Sequence, residues 1–317
     1  MVREKVALII GTKVATNGFE SGASLRLNSI KKLIESSGFK VTVASRTSAR
    51  NSLNSDWDLV VLISFSTSSL LRLARKRSKM LWFDPTDSWT LTRLSQFFSG
   101  DFKQVFILVR DLFFIWTSPK IDLITFINER DSNKEKLWWG RRLVPRIIPI
   151  EGLDREVIPS HHTRLVFSGD GQYRPNRKAL KFLLKTLELL PTDLQIHLIG
   201  KDFRSTSNKF IVHGYLTHQE MYFANDIHLA PIKYGGGLKL KVAIPLWNGL
   251  RVIATPESSS GFKNSIRLKI GDTPRHFAEQ ISKILEEDSH AVGFRPRNEI
   301  YSRNEITKVQ FWLENIE

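Results

Sequence analysis

The sequence predicts an α/β protein of two consecutive domains, each containing a parallel sheet. Three observations support this fold class. Short apolar runs alternate with segments of helical period, beginning with a strand at 6–10, a helix at 22–37 and a strand at 39–44. The chain has 317 residues, which is enough for two domains of ordinary size. A stretch without period, 151–162, separates the two halves as a linker would.

The same alternation continues on both sides of the linker. In the first half it predicts further strands at 59–63, 80–83, 121–127 and 143–150, with helices at 68–77 and 129–139. In the second half it predicts strands at 165–168, 194–199, 210–212, 227–230, 252–254 and 266–270, with helices at 175–190, 217–223, 273–285 and 304–316. We expect domains at 1–157 and 158–302, a C-terminal helix at 303–317 that can return to the first domain, and a cleft outside the carboxyl ends of the strands.

Composition restricts the classes of partner and site. The chain carries a net charge of +15, which favours anionic partners such as nucleic acid, acidic lipid or phosphorylated small molecules. It contains no cysteine, so disulfides and thiolate sites are excluded. No apolar run is long enough to span a bilayer, and the N-terminus does not resemble a signal peptide. We therefore expect a cytoplasmic protein.

Residues 231–255 form the most informative stretch. Gly235, Gly236 and Gly237 follow a short strand, and Lys239 and Lys241 lie at the start of the next helix. A glycine loop before a helix N-terminus can bind an anion, because its backbone amides and the helix dipole attract negative charge. The alternative is a flexible loop before an ordinary packed helix.

Several segments of the second half resemble, in order, the nucleotide-sugar glycosyltransferases of family 4. These enzymes have the GT-B architecture, in which two Rossmann-like domains face each other. The matching segments are LVFSGDGQYRPNRKAL (165–180), HLIGKDF (197–203), VHGYLTHQEMYFANDIHLAPIKYGGGLKLKV (212–242) and NGLRVIATPESSSGF (248–262), and SGASLRLNSIKKLIESSGFKVTV (21–43) is similar in the first half.

The resemblance implies a nucleoside diphosphate sugar as donor substrate, with no cofactor and no metal, and the retaining outcome that is usual in the family. It implies that the second domain binds the donor. The implied phosphate contacts are Gly235, Gly236, Gly237, Lys239, Lys241, Arg174 and Lys178, with Gly22 near the loop that closes over the phosphates. The implied base contacts are Gly200, Lys201, His213, Gly214 and Tyr215. A solvated surface charge is the alternative for each lysine or arginine.

The sequence departs from the family at one position that matters. The family has a glutamate on the central helix that holds the donor ribose, and Ile244 stands in its place, followed by Pro245. Three alternatives remain open: an altered donor pose, replacement by another residue such as Glu257, or a domain that no longer catalyses. Pro245 is also expected to kink or shorten the helix.

Asp84 and Asp87 are the acid–base candidates, because they follow a strand and are expected at the edge of the cleft. One of them could accept the proton of the acceptor hydroxyl. The alternative is structural: Asp87 or Ser88 caps the next helix and Asp84 supports the turn. The sequence contains no His, Asp or Glu cluster with metal-ligand spacing.

Basic and aromatic residues are concentrated between Arg72 and Lys120. This segment suggests that the first domain docks on an anionic membrane, at its inner face, and that the acceptor is a glycan or a lipid-linked intermediate. The alternative is that its Phe and Leu residues fill the core. No recognisable nucleic-acid-binding module is present.

We therefore expect a glycosyltransferase that acts on a cell-envelope or polysaccharide acceptor. The alternative is a non-catalytic relative that binds or scaffolds, and a basic nucleic-acid binder is a weaker third hypothesis.

Overall fold

The computed structural model describes residues 3–16, 21–98, 100–139, 146–148, 150, 152–204, 207–216, 221–234, 237–262, 267–287, 309–310 and 313. The chain divides into two compact units. The first comprises Met1–Gly152 and Tyr301–Glu317, and the second comprises Leu153–Ile300. The division thus falls between Gly152 and Leu153, slightly before the boundary expected after residue 157.

The first unit is built on a six-stranded sheet with the order β2-β1-β3-β4-β5-β6, and all its ladders are parallel. The strands are β1 Lys5–Gly11, β2 Phe39–Ser45, β3 Trp57–Ile63, β4 Ser78–Thr86, β5 Leu123–Phe126 and β6 Arg146–Ile147. The helices are α1 Lys13–Thr16, α2 Gly22–Ser36, α3 Ala49–Ser52, α4 Leu71–Lys76, α5 Trp89–Phe98, α6 Lys103–Trp116 and α7 Glu129–Trp139, and a 3-10 helix covers Phe65–Leu70.

Alternate residues of the central strands fill the two faces of this sheet. Leu8 and Ile10 belong to one apolar cluster, whereas Ala7 and Ile9 belong to the other. Both faces are covered, as expected for a buried parallel sheet. Val309 and Leu313 are buried in the second cluster, so the described C-terminal residues pack in the first unit.

The second unit is also built on a six-stranded parallel sheet, with the order β12-β11-β10-β7-β8-β9. The strands are β7 Leu165–Ser168, β8 Ile196–Ile199, β9 Phe210–Gly214, β10 Ile227–Ala230, β11 Arg251–Ala254 and β12 Leu268–Ile270. The helices are α8 Arg174–Leu187, α9 Leu240–Trp247 and α10 Pro274–Glu287. The predicted fold class, α/β with two Rossmann-like parallel sheets, is confirmed.

The structure assigns one segment that the sequence left open and corrects two predicted elements. The segment 89–116, which the sequence left unassigned, forms helices α5 and α6. The predicted helix at 68–77 is a 3-10 turn followed by the short α4. Strand β4 continues to Thr86, so Asp84 lies inside the strand and not beyond it. Most of the predicted helices at 304–316 and 217–223, and part of the predicted strand at 143–150, lie outside the described residues; residues 309, 310 and 313 are helical.

Candidate functional site

The strand order of the second unit creates a topological switch point beside β7. The chain proceeds from β7 to β8 and β9 on one side, and β10 pairs with the other side of β7. The loops that leave β7 and β10 at their carboxyl ends therefore diverge. In open parallel sheets, ligands bind in the crevice at this point.

Lys241 bridges this switch point. It lies in the first turn of α9, and its Nζ donates to Oδ1 of Asn176 in the first turn of α8, at 2.8 Å. The ammonium is also 4.2 Å from the ring centroid of the buried Phe167. Burial, with a smaller contribution from the charge of Lys239, lowers the pKa of Lys241 to about 7. A partly desolvated amine that is charged below about pH 7 therefore lies where the two loops separate.

Glycines bring the β7 and β8 loops into close contact. A Cβ on Gly200, whose φ is +133°, would lie 1.9 Å from the carbonyl oxygen of Gly169. A Cβ on Gly169 would lie 2.6 Å from Nδ2 of Asn176 and 3.3 Å from Nζ of Lys241. A side chain at Gly169 would press on Asn176 and Lys241, and one at Gly200 would collide with the backbone of Gly169, so both glycines are needed for this arrangement.

A second group of cations surrounds Tyr234, which precedes the glycine run. Nζ of Lys178 lies 4.8 Å from the Tyr234 ring centroid, a cation–π distance. Burial raises the pKa of Tyr234, while the charges of Arg174 and Arg177 partly oppose the shift. The structure thus brings the predicted Arg174 and Lys178 to the loop that leads into the glycines. Gly235 and Gly236 lie outside the described residues, and Gly237 has a φ of +77°.

Lys239 occupies the N-cap of α9, and its side chain makes no capping hydrogen bond. Its carbonyl oxygen accepts from the amides of Val242 and Ala243, at 2.8 and 2.9 Å. The predicted order of strand, glycine loop, helix and strand is thereby reproduced by β10, Gly237, α9 and β11.

The predicted base-contacting residues have partners within the protein. Lys201 is exposed and pairs with Asp170 at 3.1 Å. The amide of Gly200 donates to the carbonyl of Gly214 at 2.7 Å. His213 stacks on His197 with the ring nitrogens 2.8 Å apart. Burial is the main cause that lowers the pKa of both histidines, to about 4 for His197. Tyr215, next to this pair, is 68% exposed.

Ile244 is buried inside α9, with 8% of its surface exposed. The helix continues through Pro245 and ends two residues later at Trp247. It has eight residues, which agrees with the expectation that Pro245 shortens it. Glu257 is half-buried in the turn after β11. An apolar side chain therefore occupies the position at which the resemblance implied a ribose-binding carboxylate.

Three residues of this site were not predicted from the sequence. Asn176 holds Lys241, and Thr255 and Ser258 hold the loop after β10, since both hydroxyls donate to the carbonyl of Ile232. The Ile232 amide also donates to Oγ of Ser258 at 3.2 Å. Small polar residues in the turn that follows β11 were the available signal for Thr255 and Ser258.

The first-unit candidates differ from their expected placement. Asp84 is fully buried and pairs with the fully buried Arg26, whose Nε lies 3.2 Å from Oδ1. The hydroxyls of Thr86 and Thr125 donate to the same carboxylate. The expectation that Asp84 lies at an open edge is therefore wrong, because the ion pair encloses it. Gly22 is the first residue of α2, directly after a Ser21 capping box.

Asp87 is half-buried and follows Thr86, a threonine with a φ of +73°. The cap of α5 is Ser88, because its Oγ accepts from the amide of Leu91 at 3.1 Å. The Ser88 hydroxyl also donates to the buried Glu135 at 2.6 Å, and burial raises the pKa of Glu135. Of the two aspartates, only Asp87 keeps partial access to solvent.

Within the described ranges, no group of three His, Asp or Glu side chains could hold a metal ion. Across the same residues, no helix combines the length and apolar character needed to cross a bilayer.

Residues 162–287 match the family model of the glycosyl transferases group 1. The comparison with curated protein sequences gives no match. Among solved structures, Anabaena HepE in complex with UDP and glucose is similar at a TM-score of 0.62 and 11% identity, over 99% of this chain and 96% of HepE. Arabidopsis thaliana UGT89C1 complexed with UDP is similar at a TM-score of 0.52 and 10% identity, over 98% of this chain and 100% of that one. TarM is similar at a TM-score of 0.54 and 12% identity, over 81% of this chain and 54% of the TarM chain.

The motifs and these comparisons agree. The chain resembles the GT-B glycosyltransferases in fold over nearly its whole length, and over residues 162–287 it resembles the glycosyl transferases group 1 in sequence as well.

Proposed function

We propose that the protein is a glycosyltransferase that moves a sugar from a nucleoside diphosphate sugar to a cell-envelope or polysaccharide acceptor. The observation that carries this proposal is the half-buried side chain of Lys241 at the switch point of the second sheet, held by Asn176. The family match over 162–287 and the UDP complexes of the similar structures support the choice of donor.

The chemistry requires cations at this place. As the bond between sugar and diphosphate breaks, the departing nucleoside diphosphate gains negative charge. Lys241 would neutralise that charge directly, because a partly desolvated ammonium acts through a lower dielectric than a surface lysine. Lys239, Arg174 and Lys178 would add longer-range attraction, and the glycines from 235 to 237 would allow the phosphates to approach the backbone.

The remaining roles follow from the same proposal. Gly200, Lys201, His213, Gly214 and Tyr215 would border the base, and Gly22 would lie near the phosphates. If the reaction inverts, Asp87 is the carboxylate of the first unit that would accept the proton of the acceptor hydroxyl. A retaining reaction needs no such base. We propose the retaining, metal-independent course that is usual in the family that the sequence resembles.

The proposal is tested by calorimetric titration of the full chain with UDP, GDP and dTDP and their glucose conjugates. We expect at least one nucleoside diphosphate to bind, and its conjugate to be consumed when acceptor is supplied. An absence of heat and of thermal stabilisation with every nucleotide would refute donor binding.

A second function, a non-catalytic binding or scaffold protein, is favoured by one observation. Ile244 is buried and apolar at the position where a carboxylate is expected. This alternative predicts nucleotide binding without consumption of any donor, even by hydrolysis. Slow hydrolysis of the donor, measured over hours as released nucleoside diphosphate, would therefore indicate the enzyme. Its absence would indicate the binding protein.

We propose that the protein works in the cytoplasm at the inner face of a membrane, where a lipid-linked or polymeric acceptor is available. The net charge of +15 supports this location, because such a charge is attracted to anionic lipid.

A further inference from the structure

The outer face of α6 carries large apolar side chains that the protein leaves uncovered. Phe102, Phe106, Val109, Phe113 and Trp116 are 70%, 80%, 61%, 65% and 88% exposed. Their spacing alternates between four and three residues, so they form one stripe along the helix. We call these five residues, together with Phe98 at the end of α5, the aromatic stripe. Phe98 is 80% exposed.

The opposite face of α6 is apolar as well. Ile115 is buried, and Leu108, Leu112 and Phe114 pack against the core of the first unit. A helix with two opposite apolar faces is normally covered by protein or lipid on both of them. Soluble monomers rarely expose contiguous apolar patches larger than a few hundred Å². The aromatic stripe therefore calls for a covering partner.

Polar contacts and ring contacts between α5 and α6 hold the aromatic stripe in place. Arg93 of α5 donates to Oε1 of Gln104 at 3.0 Å and pairs with the buried Asp111 at 3.5 Å. The Phe97 ring contacts those of Phe98 and Phe102, with centroids 5.3 and 5.6 Å apart. These contacts join α5 and α6 into one hairpin, so the stripe is a preformed surface.

The charges beside the stripe identify the partner. Lys103 and Arg110 on α6, and Lys120 shortly after it, are exposed, and Asp111, the acidic residue within α6, is buried. Arg110 and Arg93 share that single carboxylate. Arg72 adds a further exposed cation at the end of α6, since it donates to the Thr117 carbonyl at 3.3 Å.

We propose that the aromatic stripe of α5 and α6 inserts into the interface of an anionic lipid bilayer, with these cations against the headgroups. The helix has 14 residues and is thus about 21 Å long, so it would lie in the membrane plane and not cross it. Aromatic side chains, and tryptophan above all, favour the interface, and each nearby basic side chain adds attraction to anionic lipid. A second copy of the chain fits less well, because face-to-face contact would oppose like charges.

This inference deepens the proposed peripheral location and is tested by sedimentation of the full chain with vesicles. Neutral phosphatidylcholine vesicles are compared with vesicles containing one third phosphatidylglycerol. The wild type is expected to bind the anionic vesicles at least tenfold more tightly. Phe106→Ser/Phe113→Ser should weaken that binding at least tenfold, and Lys103→Gln/Lys120→Gln should weaken it severalfold. Leu189→Ser, which alters an exposed apolar residue just after α8 in the second unit, is the matched control and should bind as the wild type does.

Sedimentation velocity and nucleotide titration accompany the vesicle experiment. Unchanged thermal midpoints would show that the variants fold. A concentration-dependent dimer that is lost in Phe106→Ser/Phe113→Ser, without vesicle binding, would overturn the proposal in favour of a second copy. Equal binding to neutral vesicles, or none at all, would also overturn it. Because nucleotide binding is read separately, vesicle binding with no nucleotide binding would refute only the proposed donor site.

Discussion

Nζ of Lys241 and Oδ1 of Asn176 lie 2.8 Å apart although the two residues are 65 positions apart in the sequence. Their hydrogen bond joins the first turns of α9 and α8, on the two sides of the switch point. Asn176 also donates to the carbonyl of Asp170 at 2.8 Å, which fixes its orientation. The amide therefore aims its oxygen at the lysine and holds the ammonium in place before any ligand arrives.

The first prediction concerns the removal of this ammonium. Lys241→Met should weaken binding of a nucleoside diphosphate at least tenfold, because a charge-assisted contact to phosphate is lost. The free energy of unfolding should stay equal or rise, since a partly desolvated charge is replaced by an apolar chain of similar length. Calorimetric titration and urea unfolding measure the two effects. Lys185→Gln, which removes an exposed lysine in the last turn of α8, is the control and should change both quantities less.

The second prediction is a pH dependence of nucleotide affinity. The pKa of Lys241 in the free protein is lowered to about 7, so this side chain becomes neutral as the pH rises above 7. A bound diphosphate favours the charged form, and binding at higher pH must therefore take up a proton. The dissociation constant should increase up to tenfold per pH unit above about 7. The second ionisation of a phosphate, near pH 6, is complete below this window.

Two measurements check the assignment of this pH dependence to Lys241. Titrations at pH 8 in buffers of different ionisation enthalpy should show proton uptake in the wild type and none in Lys241→Met. Stability should also rise between about pH 7 and 10.5, where the unfolded chain still binds the proton that the folded chain has lost. An affinity that is constant from pH 7 to 9 in the wild type would contradict this role for the lysine.

Local sequence patterns were sufficient to predict most of the scaffold. Strand β10, the glycine loop, α9 and β11 were all expected within residues 227–254, because each has its own periodicity or turn signal. The positions of Lys239 and Lys241 at the start of α9 followed from the same local rules.

Contacts between distant segments were not predictable in the same way. Two partners of Asp84, Arg26 and Thr125, lie 58 and 41 positions away, and no local rule joins them to it. The sequence therefore suggested an accessible carboxylate where the structure has a closed ion pair. Likewise, Phe106 and Phe113 are of a residue type that usually lies in the core. Only the packing of α6 shows that they are exposed.

The third prediction separates two glycines of the second unit. Gly200→Ala should destabilise this unit by at least about 3 kcal/mol, because the new Cβ would lie 1.9 Å from the Gly169 carbonyl oxygen and the φ of +133° is strained for alanine. Gly214→Ala has a φ of +71° and nothing within 4 Å of the new Cβ, so about 1 kcal/mol is expected. Urea unfolding of both variants gives the difference. Equal losses would show that the β7 and β8 loops can separate at little cost.

The last prediction decides between a structural and a catalytic Asp84. Removing one partner of a buried ion pair leaves the other charge uncompensated, so Asp84→Asn should lower the free energy of unfolding by about 3–5 kcal/mol. Arg26→Met/Asp84→Leu removes both charges and should lower it by less than the sum of the two single changes. Nucleotide binding by the second unit should persist in the folded fraction of each variant. A stable Asp84→Asn protein that binds donor but has lost turnover would instead identify this carboxylate as a catalytic base.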